Sequence, residues 1–392
     1  MLAASLTATV LLLTACSPSS PGGPSPEQCD RLLGHPVETE SPRLILVLDR
    51  SASRWDSPLE QSSVDAIRTI SETKGAASVL LVEGAGAPPR WLVEDASLND
   101  PATGRDTAAH RTAVSRAAAC LEARVVDRAP AHAGTDLGEA IRAAVERGRT
   151  LGVPVSIVIE TDGLSNAGPL DLTDRVLEQS VEDTVDDLEE RGWVLAAPTE
   201  MAMTFSGIAR TAEGAIAPPA AEWLRTFYEE VCTRIGADPC AVSSADQGVP
   251  DGVHQASPEH EDPSVNLPSI TLSREPESSS FEVAGSLLFG GNSAELRTGA
   301  ETLLAPIAAC LSGGGAVRVV GHAARDGASA DVDQRLSEQR ASAVAELLRS
   351  LAPESTITAQ GMGSTQPLPP DGTADPRPQD RRVEVFVDRE CT

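Results

Sequence analysis

Ile45-Leu46-Val47-Leu48-Asp49-Arg50-Ser51-Ala52-Ser53 is the stretch that decides the fold. An unbroken apolar run ends in Asp49-x-Ser51-x-Ser53. Apolar residues that do not alternate with polar ones mark a strand buried on both faces, as in parallel sheets covered by helices. A carboxylate and two hydroxyls at its end then sit beyond the carboxyl edge of the sheet, where such sheets bind ligands. All three are hard oxygen donors of the kind Mg²⁺ or Mn²⁺ prefers.

Working outward, strands are expected at Leu44–Leu48, Ser78–Glu83, Arg90–Val93, Val153–Ile159 and Trp193–Ala197. Helices are expected at Leu59–Ile70, Thr107–Ala123, Leu137–Glu146, Arg175–Arg191 and Ala221–Ile235. Apolar strands alternating with amphipathic helices predict an α/β, doubly wound, mostly parallel sheet. Residues 237–264 carry Pro239, Pro250, Pro258 and Pro263 among Ser, Gly and acids, and read as a linker. After Val265 strands return at Ser269–Leu272, Ser280–Leu288, Val317–His322, Thr356–Gln360 and Val383–Val387. Helices are expected there at Ala294–Leu311 and Asp333–Ser350, a smaller α+β domain over 265–392.

Two further segments join the opening one. Gly134-Thr135-Asp136-Leu137-Gly138-Glu139 opens a helix after a loop, and Ile159-Glu160-Thr161-Asp162-Gly163 ends a strand in an acidic turn. In this order on an α/β pattern, the three segments resemble a von Willebrand factor A domain, over residues 43–236. The resemblance implies a metal-ion-dependent adhesion site built from Asp49, Ser51, Ser53, Thr135 and Asp162. Mg²⁺ or Mn²⁺ there would accept a carboxylate from a protein partner. His132, three residues before Thr135, reads as a loop histidine, since imidazole is not favoured by Mg²⁺.

Composition narrows the partners. The formal charge is −27, so nucleic-acid phosphate would be repelled. Aromatics make up only 3%, leaving Val, Leu, Ile and Ala to fill the cores. Residues 2–15 are uncharged, and Leu13-Thr14-Ala15-Cys16 resembles the lipobox of bacterial lipoproteins. That implies a signal peptide over 1–15, a lipid on Cys16 and a tether over 16–42. A plain secretory signal is the alternative, and the usual positive n-region is missing. Setting Cys16 aside, the other six of the seven cysteines suggest disulfides in an exported chain. The sequence does not choose their pairing; Cys310–Cys391 is favoured because both fall in the C-terminal domain.

Residues 281–392 resemble the OmpA-like C-terminal domain, a peptidoglycan-binding module. Leu287–Leu296, Val319-Val320-Gly321-His322, Leu336-Ser337-Glu338-Gln339-Arg340 and Asp380-Arg381-Arg382-Val383 carry the likeness. In that family an aspartate and an arginine grip diaminopimelate. Arg340 matches the arginine. The aspartate position falls on Ala324, with Asp326 two residues later; Asp333 stands where asparagine is usual, and Arg381 is a second contact candidate. The reading is an extracytoplasmic, membrane-anchored lipoprotein that binds rather than catalyses. No His-Glu-x-x-His or Gly-x-Ser-x-Gly motif supports the rival, a cell-wall-active enzyme. A scaffold with an inactive metal site is the third possibility.

Overall fold

The computed structural model describes residues 25–50, 59–98, 107–125, 132–173, 175–193, 200–211, 214–244, 265, 267–325, 327–368 and 378–391. The expected signal peptide and Cys16, Ser51, Ser53 and Asp326 lie outside the described residues.

The chain opens with α1 (Pro26–Leu33), started by a capping box between Ser25 and Gln28. Then follow β1 (Arg43–Asp49), α2 (Gln61–Glu72), β2 (Ala76–Val82), β3 (Arg90–Ser97), α3 (Thr107–Val125), α4 (Leu137–Leu151) and β4 (Val155–Glu160). Next come α5 (Val181–Glu190), β5 (Met201–Ser206), a small hairpin of β6 (Arg210–Thr211) and β7 (Gly214–Ala215), α6 (Pro218–Ile235) and β8 (Cys240–Ser243). Among the described residues these strands form a six-stranded sheet ordered β3-β2-β1-β4-β5-β8. Every pairing is parallel except β2 with β3. The pleat of β1 explains its apolar run: Leu44, Leu46 and Leu48 face α2 and α3, whereas Ile45 and Val47 face α4 and α6. Both faces are covered, so both sets of side chains are buried.

Three expectations are corrected. The tether does not extend to residue 42, because α1 is helical and Cys29 is disulfide-bonded to Cys120 of α3. The linker does not begin at 237, because β8 is the edge strand of the first sheet and Cys240 is bonded to Cys232 of α6. The helix expected at Arg175–Arg191 is shorter, α5 at Val181–Glu190; the strand expected at Trp193–Ala197 lies, past Trp193, outside the described residues, and the Trp193 indole N–H donates to Gly138 O at 3.1 Å.

The C-terminal half contains β9 (Ile270–Glu275), β10 (Ser278–Ala284), the short α7 (Gly285–Leu288), α8 (Ala300–Cys310), β11 (Gly315–Gly321), α9 (Ala330–Leu351), β12 (Ser355–Gly361) and β13 (Arg382–Val387). Its five described strands are ordered β12-β11-β13-β10-β9, with only β11 and β12 parallel. One sheet face, through Phe281, Val283, Val319, Val383 and Val385, packs against Leu304 and Ile307 of α8 and Val344 and Leu348 of α9. Cys310 and Cys391 are bonded, the pairing favoured from sequence. The structure is thus mixed α/β, with one mainly parallel and one mixed sheet.

Candidate functional site

The strand order of the first sheet reverses between β1 and β4, since β2 and β3 lie on one side of β1 and β4 and β5 on the other. Loops leaving the carboxyl ends of these neighbours diverge and leave a crevice, the usual ligand position in such sheets. Asp49 ends β1 and is 1% exposed. Leu48 is in register with Glu160 of β4, which sets Asp49 beside Thr161. Thr161 Oγ1 donates to Asp49 Oδ2 at 2.9 Å and accepts from Gly163 N at 3.0 Å. Asp162, also buried, accepts from Leu164 N at 2.9 Å through Oδ1, and its carbonyl takes Ala209 N–H at 2.8 Å.

Thr135 reaches the same edge from the loop before α4. Its N–H donates to Asn166 Oδ1 at 2.6 Å, and its carbonyl accepts from Ser165 Oγ at 2.9 Å and Asn166 N at 3.1 Å. Asp136 N–H then donates to Glu83 O just past β2, at 3.0 Å. The turns after β2 and β4 and the loop before α4 are therefore tied together largely through backbone groups. Gly163 is required at its position: φ is +83°, and an added Cβ would come within 2.8 Å of the Tyr228 ring. The Tyr228 hydroxyl donates to Gly163 O at 2.8 Å. Burial, with the charges of Asp162 and Asp49, pushes that phenol well above its ordinary pKa. Asp162 directly follows the threonine whose hydroxyl Asp49 accepts, so both carboxylates belong to the same edge of the sheet.

Two buried carboxylates at one sheet edge, with the Thr161 hydroxyl bonded to one of them, are hard oxygen donors of a kind that fits a divalent cation. Among the described residues no group of three or more His, Cys, Asp or Glu side chains is placed to hold a metal, so hydroxyl and water oxygens would have to complete the shell. His132 is turned to Glu83 instead, with Nδ1 3.9 Å from Oε2.

In the C-terminal half, Asp333 and Arg340 are two turns apart on α9, hence on one face, and both are buried. Asp333 accepts from the Ser364 hydroxyl at 2.7 Å. Arg340 Nε donates to Ser293 O at 2.9 Å, and Nη2 reaches Gly291 O at 3.3 Å and Gly290 O at 3.4 Å. Its guanidinium carbon lies 5.3 Å from the centre of the Phe289 ring. Sequence reasoning missed this cradle, because three of its acceptors are main-chain carbonyls that no side chain announces. Ala324 is buried close after β11. Arg381 forms an ion pair with Glu178 of the N-terminal half. Nearby, His322 Nε2 lies 3.5 Å from Glu384 Oε2, and Arg382 Nη2 lies 2.7 Å from Oε1. Together they hold the Glu384 carboxyl at about 2.

Residues 288–381 match the model of the OmpA family. Over 121 residues the chain is 30% identical to the probable lipoprotein YiaD of Escherichia coli strain K12, covering 30% of this chain and 55% of that protein. The chain thus spans about half the length of that relative. Among solved structures, the cell wall anchor of the T6SS from Pseudomonas aeruginosa is similar at 32% identity and a TM-score of 0.28, covering 31% of this chain and 88% of that one. A putative MotB-like protein from Desulfovibrio vulgaris is similar at 22% identity and a TM-score of 0.27, covering 31% and 82%. Among the described residues no helix is long and apolar enough to cross a membrane. The C-terminal part of this chain, over residues 288–381, is an OmpA-like domain.

Proposed function

We propose that this chain is a lipid-anchored protein of the bacterial envelope that docks on peptidoglycan through its C-terminal domain. The observation that carries the reading is the OmpA family match over residues 288–381, with Arg340 seated on α9 inside it. The likeness to a probable lipoprotein supports a lipid at Cys16, following a signal peptide over 1–15. In this reading Arg340 forks onto a stem-peptide carboxylate, and Asp326 or Asp333 takes the ammonium. Arg381 becomes a second contact only after it leaves Glu178. Calorimetry with a diaminopimelate-containing muropeptide tests it. The wild-type chain should bind, and Arg340→Lys, which keeps the charge but loses the fork, should bind about tenfold more weakly. Equal affinity would contradict the role given to Arg340.

A second reading concerns the N-terminal half, which we infer to be a von Willebrand factor A-like domain, running from β1 to β8. Asp49, Thr135 and Asp162, joined by Ser51 and Ser53, would hold Mg²⁺ or Mn²⁺. When bound, the cation supplies coordination positions to a carboxylate of a protein partner. The chain's own residues fix the geometry: Thr161 orients Asp49, Leu164 N–H orients Asp162, and Asn166 holds the Thr135 backbone. The observation that favours it is the placement of buried Asp49 and Asp162 at one sheet edge, tied through the Thr161 hydroxyl. Mn²⁺ should raise the melting temperature of the wild-type chain, and Asp162→Ala should abolish that rise. Binding, not catalysis, is the activity we assign.

A further inference from the structure

The N-terminal half places one acid against the C-terminal domain. Glu178 lies in the turn before α5, and its own half fixes that turn. Arg175 Nη1 donates to Asp187 of α5 at 2.7 Å, Gln179 O accepts the Trp223 indole N–H at 3.0 Å, and the Ser180 hydroxyl caps α5. Leu177, directly before Glu178, is buried at φ +65°, a left-handed conformation that a bulky residue keeps only where its surroundings impose it. From this turn the Glu178 carboxylate pairs with Arg381 across the two halves. The Leu177 carbonyl meets a second arginine, Arg297, whose Nη2 lies 3.5 Å away. Arg297 Nε also donates to Ser286 O at 2.9 Å and Phe289 O at 3.0 Å. Burial lowers the Arg297 pKa, and the nearby Glu178 charge opposes that fall.

Phe289 joins this contact to the proposed wall site. Its carbonyl is held by Arg297, and its ring centre lies 5.3 Å from the guanidinium carbon of Arg340. The N–H of Gly285, which opens α7, donates to Arg381 O. Arg340, Arg297 and Arg381 thus all bond to residues 285–293, and Glu178 brings an acid to that segment from the other half. A glutamate side chain offers an arginine the same group as the carboxylate of a stem peptide. We infer that Glu178 is a built-in competitor for the ligand carboxylate at Arg381, so that the N-terminal half holds the C-terminal domain in a state of lower affinity for peptidoglycan. This rests on the peptidoglycan reading of that domain. A ligand carboxylate opens the lock by displacing Glu178, and the apparent affinity falls with the fraction of chains in which Arg381 is free.

The test is calorimetry on the full chain, with the diaminopimelate-containing muropeptide as probe. Glu178→Gln keeps the volume and removes the charge. Its affinity should exceed that of the wild-type chain about fivefold, the scale of a partly exposed ion pair that no longer has to break. In the Arg381→Gln background the same substitution should bring no gain, which separates release of Arg381 from a general loss of negative charge. If Glu178→Gln does not fold, Glu178→Asp, which withdraws the carboxylate by one methylene, carries the same expectation. Equal affinity of the wild-type chain and the folded variant overturns this inference alone. A gain that persists in the Arg381→Gln background does the same. A muropeptide that binds neither the wild-type chain nor the variant removes the peptidoglycan reading, and this inference falls with it.

Discussion

The two halves solve opposite electrostatic problems. The N-terminal sheet gathers acids at its carboxyl edge: Asp49, Asp162 and Glu160 are all buried there, and Arg50 is paired with Glu160. The C-terminal half does the reverse, sinking the Arg340 cation among main-chain carbonyls. An edge rich in buried oxygens suits a cation. A guanidinium suits an anion such as a carboxylate, onto which it can fork. On the proposed reading, this contrast would let one strongly acidic chain carry two binding chemistries.

The largest effect that would sharpen this contrast lies in the cross-links. Cys29–Cys120 spans 91 residues and ties α1 to the N-terminal half, whereas Cys232–Cys240 spans only 8. On loop-closure entropy, Cys29→Ser with Cys120→Ser should cost about 4 kcal/mol in chemical denaturation, and Cys232→Ser with Cys240→Ser nearer 2 kcal/mol. Equal losses would mean that α1 is not held as described.

Next comes Arg340→Met. It leaves Ser293 O and its neighbours without their buried donor, and should destabilise the C-terminal half by about 3 kcal/mol in a urea melt. A loss confined to muropeptide binding would show that the carbonyl cradle matters little to the fold.

The pH response follows from Glu384. Its folded pKa, about 2, lies below the ordinary carboxylate value of 4.5, so its contribution is complete above about pH 4.5 and is lost as pH falls through about 2. With 21% of the side chain exposed, the contribution should be about 2 kcal/mol after screening, and Glu384→Gln should flatten the acid limb of a pH–stability curve. An unchanged acid limb would contradict the pairing with His322 and Arg382. Smallest is Tyr228→Phe, which removes the bond to Gly163 O at a cost of about 1 kcal/mol and should weaken the Mn²⁺-induced rise in melting temperature.

Legibility in the sequence followed the same division. β1 and β4 were readable because their runs Leu44–Leu48 and Ile157–Ile159 are apolar on both faces. β8 was not: four residues beside Pro239 are too short to display a period, and the disulfide to α6 that accompanies them is not written in the spacing. β5 escaped because Met201–Ser206 alternates with Ala202 and Thr204. α1 hid inside a Pro- and acid-rich stretch whose capping box was overlooked. Among site residues, Asp49, Thr135 and Asp162 stood out as donors at strand and helix ends. Thr161 had a signal, its place next to Asp162. Tyr228 had none, because its role arises from a contact across more than 60 residues. The α8 start moved to Ala300 because Gly299, at φ +89°, breaks the preceding turn.

Sedimentation of the full chain with purified peptidoglycan, in EDTA and in Mg²⁺, tests the division of labour most directly. The wild-type chain and Asp162→Ala should both pellet with the wall in either buffer, and Arg340→Lys should remain largely in the supernatant. Pelleting that required Mg²⁺, or that Asp162→Ala abolished while Arg340→Lys did not, would contradict it.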